Sequence, residues 1–253
     1  MNIMKKFHEK ATDNTHKSAV AIAFLGDSVT QGCFELYKNE ANEIETIFDK
    51  ESAYPNYLYR IFSMLYPSVP VHIINAGISG DVAPNGFNRL ERDVLCYNPD
   101  LVVVCYGLND VCGGMENIET YQDALRSIFS ELQRRDKEVI FMTPNMMNTK
   151  VSAHLTDTDI CNHAHFTKEL QNSGVMDAYY EAAVDVCWEC KIPICDCYAK
   201  WKLLAMNGVD TTELLANKLN HPTREMNWMF AMSLVEIMLQ CESGIEEENN
   251  EGI

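Results

Sequence analysis

The chain has 253 residues, 47% of them hydrophobic, and 20 lysines and arginines against 37 acids give a net charge of −17. This charge argues against nucleic acid and anionic membranes as partners, and the length fits one large domain with a sizeable core. No apolar run is long enough to span a membrane. The polar N-terminus has no apolar signal segment, and the 10 cysteines are most simply reduced thiols, so we expect a cytoplasmic protein.

The first predicted element is an apolar run with β-branched residues at positions 19–25, which has the length of a buried strand. Gly26 ends this run, and Asp27 and Ser28 follow at once. Alone, the tripeptide is more typical of a helix cap. However, a serine that ends a buried strand stands at the edge of the sheet, where its backbone N–H can point at a developing negative charge. Ser28 is therefore a candidate nucleophile.

Apolar runs and amphipathic segments alternate along the rest of the chain. Further strands are predicted at residues 69–75, 101–106, 138–142 and 192–197, and helices at 54–66, 83–95, 118–135, 175–190 and 224–239, the last with Pro222 in its first turn. The acidic residues 35–51 are interpreted as a loop or short helix near the mouth of any site, and 145–158 as a polar loop. Five apolar strands followed by helices predict an α/β fold, a parallel sheet covered on both faces. We expect one domain over residues 1–240 and an acidic, disordered tail at 241–253.

Polar groups follow several of these strands. Ligands of an open parallel sheet bind beyond the carboxyl ends of its strands. Ser28 follows the first strand, a turn with Gly80 the second and Asn109 the third, and His221 precedes the last helix. Acyl transfer needs this set: the hydroxyl attacks an ester and the imidazole moves the proton. The N–H groups of Ser28 and Gly80, with the Asn109 amide, would hold the oxyanion.

At these residues the chain resembles the SGNH (GDSL-type) hydrolases, a family of esterases, lipases and carbohydrate deacetylases. The matching blocks are GDS at 26–28, NAGISGD at 75–81, GLND at 107–110 and HP at 221–222, in the family's order. The resemblance implies catalytic roles for Ser28 and His221 and an oxyanion hole of Ser28, Gly80 and Asn109. It also implies a three-layer α/β/α flavodoxin-like sandwich with a five-stranded parallel sheet, in agreement with the five strands counted above.

One position departs from the family pattern. The family usually has an aspartate three residues before the histidine, which orients and stabilises the imidazole, and here that residue is Lys218. Asp210, Glu213, the Asn217 side chain or a backbone carbonyl could replace it. We predict a Ser28–His221 pair whose third partner the sequence does not identify.

Two functions follow from these observations. The first is a serine esterase that hydrolyses a small acetyl or short-acyl ester, for example on a carbohydrate; the alternative is a catalytically impaired protein of the same fold that binds a sugar or acyl metabolite. We expect no cofactor and no metal, since Cys187, Cys190, Cys195 and Cys197 lie on helix and strand patterns typical of core packing. The natural substrate and the oligomeric state stay open.

Overall fold

The computed structural model describes residues 1–240, and its centre is a five-stranded parallel sheet. Seven strands occur among these residues: β1 (Val20–Gly26), β2 (Cys33–Lys38), β3 (Ile44–Phe48), β4 (Val71–Gly77), β5 (Leu101–Cys105), β6 (Glu138–Met142) and β7 (Ile194–Cys195). The sheet has the order β4-β1-β5-β6-β7, and β2 and β3 form a separate antiparallel hairpin. Counted along the chain, the five parallel strands are ordered 2-1-3-4-5, which is the flavodoxin-like order. The predicted fold class is confirmed.

Helices cover both faces of the sheet. Nine α-helices occur within residues 1–240: α1 (Asn2–Thr12), α2 (Ser28–Gln31), α3 (Tyr54–Leu65), α4 (Ala83–Asp93), α5 (Ile118–Arg134), α6 (Thr158–Asn172), α7 (Val175–Cys190), α8 (Cys197–Met206) and α9 (Arg224–Leu239). Helices α1, α3 and α9 pack together, and α4, α5 and α7 pack together as a second group, with α6 against α7. Every residue of β5 is buried, as expected for a strand enclosed between two helical layers.

The secondary structure predicted for residues 35–51 is wrong, because most of this segment belongs to the β2–β3 hairpin. Its turn is built by two asparagines. Asn39 Oδ1 accepts the backbone N–H groups of Ala41 and Glu43, each at 3.0 Å, and Asn42 has a φ of 62°. Asparagine favours both features, so the turn had a local signal that the acidic composition obscured.

Other boundaries also differ. Helices α1, α6 and α8 were not predicted, and the fifth strand of the sheet is shorter than 192–197 because Asp196 caps α8 through the Ala199 N–H. Helix α9 begins at Arg224 with Thr223 as its cap, so Pro222 lies before the helix rather than in its first turn. The tail at 241–253 lies outside the described residues, and the single domain stays a prediction. Within residues 1–240, none of the helices combines the length and apolar content that crossing a bilayer requires.

Candidate active site

Ser28 lies at the turn between β1 and α2. Asp27 caps α2 by accepting the Val29 N–H at 3.0 Å, and Ser28 begins the helix with only 3% of its surface exposed. At Gly26 a Cβ would lie 2.2 Å from the Thr30 hydroxyl, so this tight turn admits no side chain. The cap and the nucleophile interpretations are therefore compatible, because Asp27 caps the helix while Ser28 is presented beside it.

His221 contacts Ser28 directly. Its Nε2 lies 2.9 Å from the Ser28 Oγ, and its Nδ1 lies 2.9 Å from the backbone carbonyl oxygen of Phe34 in β2. A carbonyl oxygen only accepts hydrogen bonds, so in the neutral ring the proton belongs on Nδ1. The Nε2 lone pair then faces the serine hydroxyl, which is the arrangement in which histidine removes a proton.

The acidic side chains considered as third partners are engaged elsewhere. Lys218, at the family's aspartate position, has a φ of 58° and places its ammonium 2.9 Å from Glu213. Asp210 forms an ion pair with Lys150. Of the candidates left open by the sequence, a backbone carbonyl is the group that contacts Nδ1 of His221.

Asn217 organises the loop that carries the histidine. Its Oδ1 accepts the backbone N–H groups of Leu219, Asn220 and His221 at 2.9 to 3.0 Å, and the side chain is buried. One amide oxygen thus satisfies three consecutive donors in a turn that has no helix to satisfy them. Asn217 supports the backbone of His221 and does not meet the ring.

Burial lowers the pKa of His221 from 6.5 to about 4, and the Phe34 carbonyl and the Glu35 charge oppose this effect only in part. The imidazole is therefore neutral at neutral pH. A neutral imidazole with a free Nε2 lone pair is the form that general-base catalysis requires.

The loop after β4 is joined to the turn that carries Ser28. The Ile78 N–H donates to the Gly26 carbonyl at 3.1 Å, and the Ser79 N–H donates to Gln31 Oε1 at 2.6 Å. Gly80 follows in an exposed position with a φ of 76°, where a Cβ would meet nothing within 4 Å. The positive φ, and not lack of space, favours glycine here.

Asn109 is joined to the same loop. Its Nδ2 donates to the backbone carbonyl of Asp81 at 2.9 Å, and the side chain is half-buried. A carboxamide carries two hydrogens, so the second is available to a ligand. Hydrogen bonds through residues 78–81 thus connect the Ser28 turn, Gly80 and Asn109 at the carboxyl ends of β1, β4 and β5.

The family model of the GDSL-like lipase/acylhydrolase family matches residues 24–229, which include Ser28 and His221. The chain belongs to this family. The family predicted from the four sequence blocks is thereby confirmed.

Similar proteins include several carbohydrate esterases. An acetylxylan esterase from Geobacillus stearothermophilus is 27% identical over 136 residues, which cover 50% of this chain and 60% of that protein's length. The crystal structure of Axe2, an acetylxylan esterase from the same organism, is 21% identical with a TM-score of 0.63, covering 88% of this chain and 96% of Axe2. A two-domain esterase active on acetylated mannans is 17% identical with a TM-score of 0.65, covering 99% of this chain and 57% of that one. At these identities the two structures show that the fold is shared.

In this GDSL-family chain, a buried arginine that the sequence analysis did not identify joins three strand ends. Arg89 forms a buried ion pair with Asp81, with 2.6 Å between Nη2 and Oδ2. It also donates to the carbonyls of Gly26 and Ala76, at 3.0 and 2.6 Å, and to the Tyr106 hydroxyl at 2.9 Å. These contacts lie at the ends of β1 and β4 and just after β5. Arg89 therefore fixes the strand ends that carry Ser28 and the Gly80 loop.

Two buried carboxyl groups lie close to the serine turn. One oxygen of Asp27 and one of Asp110 are buried without a hydrogen-bond partner in the described part of the chain. Burial is the main reason that the pKa is raised to about 7 for Asp27 and about 6 for Asp110. The other Asp110 oxygen accepts the Ala83 N–H at the start of α4, at 2.8 Å. Both groups therefore hold their protons at mildly acidic pH.

Three of the four paired cysteines are buried in the core. Cys187, Cys195 and Cys197 are buried members of the main hydrophobic core. Residues 1–240 contain no group of three or more His, Cys, Asp or Glu side chains arranged to hold a metal ion.

Proposed function

We propose that this protein is a serine esterase that hydrolyses small acetyl or short-acyl esters on carbohydrates. The observation that carries the proposal is the contact of 2.9 Å between Ser28 Oγ and His221 Nε2, with Nδ1 on the Phe34 carbonyl. Membership of an acylhydrolase family supports the reaction class. The similar proteins described as acting on acetylated xylan and mannans support an acetylated sugar as the substrate.

The reaction proceeds in two acyl transfers. His221 takes the Ser28 proton as the hydroxyl oxygen attacks the ester carbonyl. The N–H groups of Ser28 and Gly80 and the Asn109 amide donate to the oxyanion of the tetrahedral intermediate, and His221 then protonates the leaving alcohol. In the second transfer His221 deprotonates a water that attacks the acyl-enzyme, which releases the carboxylic acid and returns the proton to Ser28.

The Phe34 carbonyl takes over one of the two roles of the family's aspartate, the orientation of the imidazole. It holds the imidazole in the Nδ1–H tautomer and fixes the ring orientation. It carries no full negative charge, so it stabilises the imidazolium less than a carboxylate would. Orientation is retained in this chain, while charge stabilisation is reduced.

The proposal is tested with nitrophenyl esters of increasing acyl length and with acetylated xylooligosaccharides. We expect the wild type to hydrolyse the acetyl ester fastest, and Ser28→Ala and His221→Ala each to lose at least about a thousandfold in kcat. Ser130→Ala and His165→Ala are matched controls, because both residues are exposed on helices outside the site. A wild type that turns over esters while both site variants keep its rate contradicts the proposal.

The alternative function, binding of a sugar or acyl metabolite without catalysis, rests on the lysine at position 218. A fluorophosphonate probe separates the two functions, since it labels only an activated serine hydroxyl. The esterase proposal expects covalent labelling that Ser28→Ala abolishes. A protein that resists labelling but gains thermal stability from acetylated sugars would instead be a binding protein.

A further inference from the structure

The strand that offers the Phe34 carbonyl is irregular at that point. Cys33 pairs with Phe48 and Leu36 pairs with Thr46, so β2 has one residue more than β3 in this interval. An extra residue of this kind is left out of the ladder and bends its strand. The bulge therefore frees the Phe34 carbonyl to accept from His221, but the hairpin ladder does not hold that carbonyl in place.

Arg224 holds this part of the hairpin. Its Nη1 and Nη2 lie 2.6 and 3.2 Å from the two carboxylate oxygens of Glu35, and its Nε lies 2.9 Å from Asp49 Oδ2. The guanidinium carbon is 4.3 Å from the centroid of the Phe34 ring. Glu35 follows Phe34 in β2, and Asp49 comes directly after β3. Arg224 thus contacts β2, the residue that follows β3, and the aromatic ring of Phe34, the residue whose carbonyl accepts from His221.

The same guanidinium is coupled to the histidine through the chain. Arg224 is the first residue of α9, three positions after His221. Its partner Asp49 is itself anchored, because its backbone N–H donates to the Gly32 carbonyl at 2.8 Å. His221 and Arg224 therefore lie in one short segment of the chain, and Asp49, which Arg224 contacts, is held in place by its hydrogen bond to Gly32.

We propose that Arg224 is a positioning residue of the Ser28–His221 pair, and that it keeps the Phe34 carbonyl on Nδ1 of His221 by clamping Glu35 and Asp49. The inference rests on the proposed function. It assigns to a salt-bridged hairpin the orienting role that the family usually gives to an aspartate three residues before the histidine. A bidentate guanidinium fork suits this role because it fixes both distance and angle.

Loss of the clamp should not unfold the hairpin. The far end of β2 is held separately, since Lys38 lies 3.1 Å from Asp157 and 2.6 Å from Asp159 at the start of α6. Removing Arg224 therefore releases the end of the hairpin next to His221. A misplacement of about 1 Å in a catalytic group costs on the order of a hundredfold in rate.

The test measures kinetics and the His221 tautomer in Arg224→Ala and Arg224→Lys. We expect kcat on nitrophenyl acetate to fall about 10- to 100-fold in Arg224→Ala, and less in Arg224→Lys, with KM changed less than about threefold. Nitrogen-15 NMR of histidine-labelled protein should show His221 in the Nδ1–H form in the wild type and a mixture of tautomers in both variants. The His221 signal is assigned from its absence in His221→Gln.

Arg60→Ala is the matched control. Arg60 also pairs with a carboxylate, 2.8 Å from Glu51, and its guanidinium lies 5.6 Å from the centroid of the Tyr57 ring, but it does not contact the hairpin residues that face His221. We expect its kcat and the His221 tautomer to match those of the wild type. A similar loss in Arg60→Ala would mean that removal of any such arginine slows the enzyme.

The outcomes separate the inference from the proposed function. A folded Arg224 variant with an unchanged His221 tautomer overturns the inference, whether or not its kcat falls. If Arg224→Ala does not fold, Arg224→Lys and Glu35→Gln decide in the same way. If the wild type hydrolyses no ester while the tautomer still responds to Arg224, the proposed function fails and the positioning of His221 by Arg224 stands.

Discussion

Replacing Asp27 with asparagine is expected to change the stability of the protein, relative to wild type, more favourably at pH 8 than at pH 5. The Asp27 carboxyl is buried beside Ser28, and burial raises its pKa from 3.8 to about 7. Folding therefore favours the protonated acid, and the ionised form costs stability. This cost is absent below the unfolded pKa, grows as the pH rises from 3.8 to about 7 and is constant above that.

The size of the effect follows from the pKa difference. Each pKa unit is worth about 1.4 kcal/mol, so the cost is roughly 2 kcal/mol at pH 5 and roughly 4 kcal/mol at pH 8. Asparagine keeps the oxygen that accepts the Val29 N–H, but its amide hydrogens replace a buried oxygen that has no partner within residues 1–240. Unsatisfied amide hydrogens cost about 1 to 3 kcal/mol at any pH. The difference between the two pH values isolates the titration of Asp27.

Urea unfolding of wild type and Asp27→Asn at pH 5 and pH 8 measures this difference. From pH 5 to pH 8, the free energy of unfolding of the variant should rise by roughly 3 kcal/mol relative to that of the wild type. Asp136→Asn is the control, because Asp136 is exposed with a φ of 55° that asparagine also tolerates. The free energy of unfolding of this control should not change relative to wild type between the two pH values. A gain below about 1 kcal/mol for Asp27→Asn would refute the argument that this carboxyl is held protonated by burial.

Four further predictions concern the histidine. Because burial lowers the pKa of His221 to about 4, kcat/KM should stay level down to about pH 5 and fall with a midpoint near 4; a midpoint near 6.5 would contradict the buried, neutral imidazole. The same group should destabilise the fold as the pH falls from 6.5 to about 4, since only the unfolded chain takes up the proton there. Lys218→Asp should change kcat by less than about twofold, because Nδ1 is already bound to the Phe34 carbonyl; a tenfold gain would show that the carbonyl is a poor third partner. Asn217→Ala should lose about 1 to 3 kcal/mol in urea unfolding and about tenfold in kcat, whereas Asn217→Asp, which keeps an acceptor for the three N–H groups, should lose much less of each.

Elements with a strong local pattern could be predicted from the sequence. The apolar run of β1 and the helical spacing of α5 and α7 appear at nearly their true bounds, because a buried strand and an amphipathic helix each impose their own period on the residues. The hairpin β2–β3 was missed, since its alternation is weak and its asparagine turn lies in an acidic segment. Helices α6 and α8 begin at aspartate caps, and an aspartate cap by itself is too weak a signal to predict a helix.

The sequence by itself determined the types of group that we propose for the site, because Ser28, Gly80, Asn109 and His221 follow strands or precede a helix in an order that a parallel sheet brings to one edge. Only the tertiary structure decided what accepts the second nitrogen of His221. Every residue has a backbone carbonyl, so no residue type marks Phe34 for this role, and the contact spans 187 positions of the chain. Arg224 meets Glu35 and Asp49 over similarly long separations. Such contacts depend on how distant segments pack together, and local sequence patterns do not encode that packing.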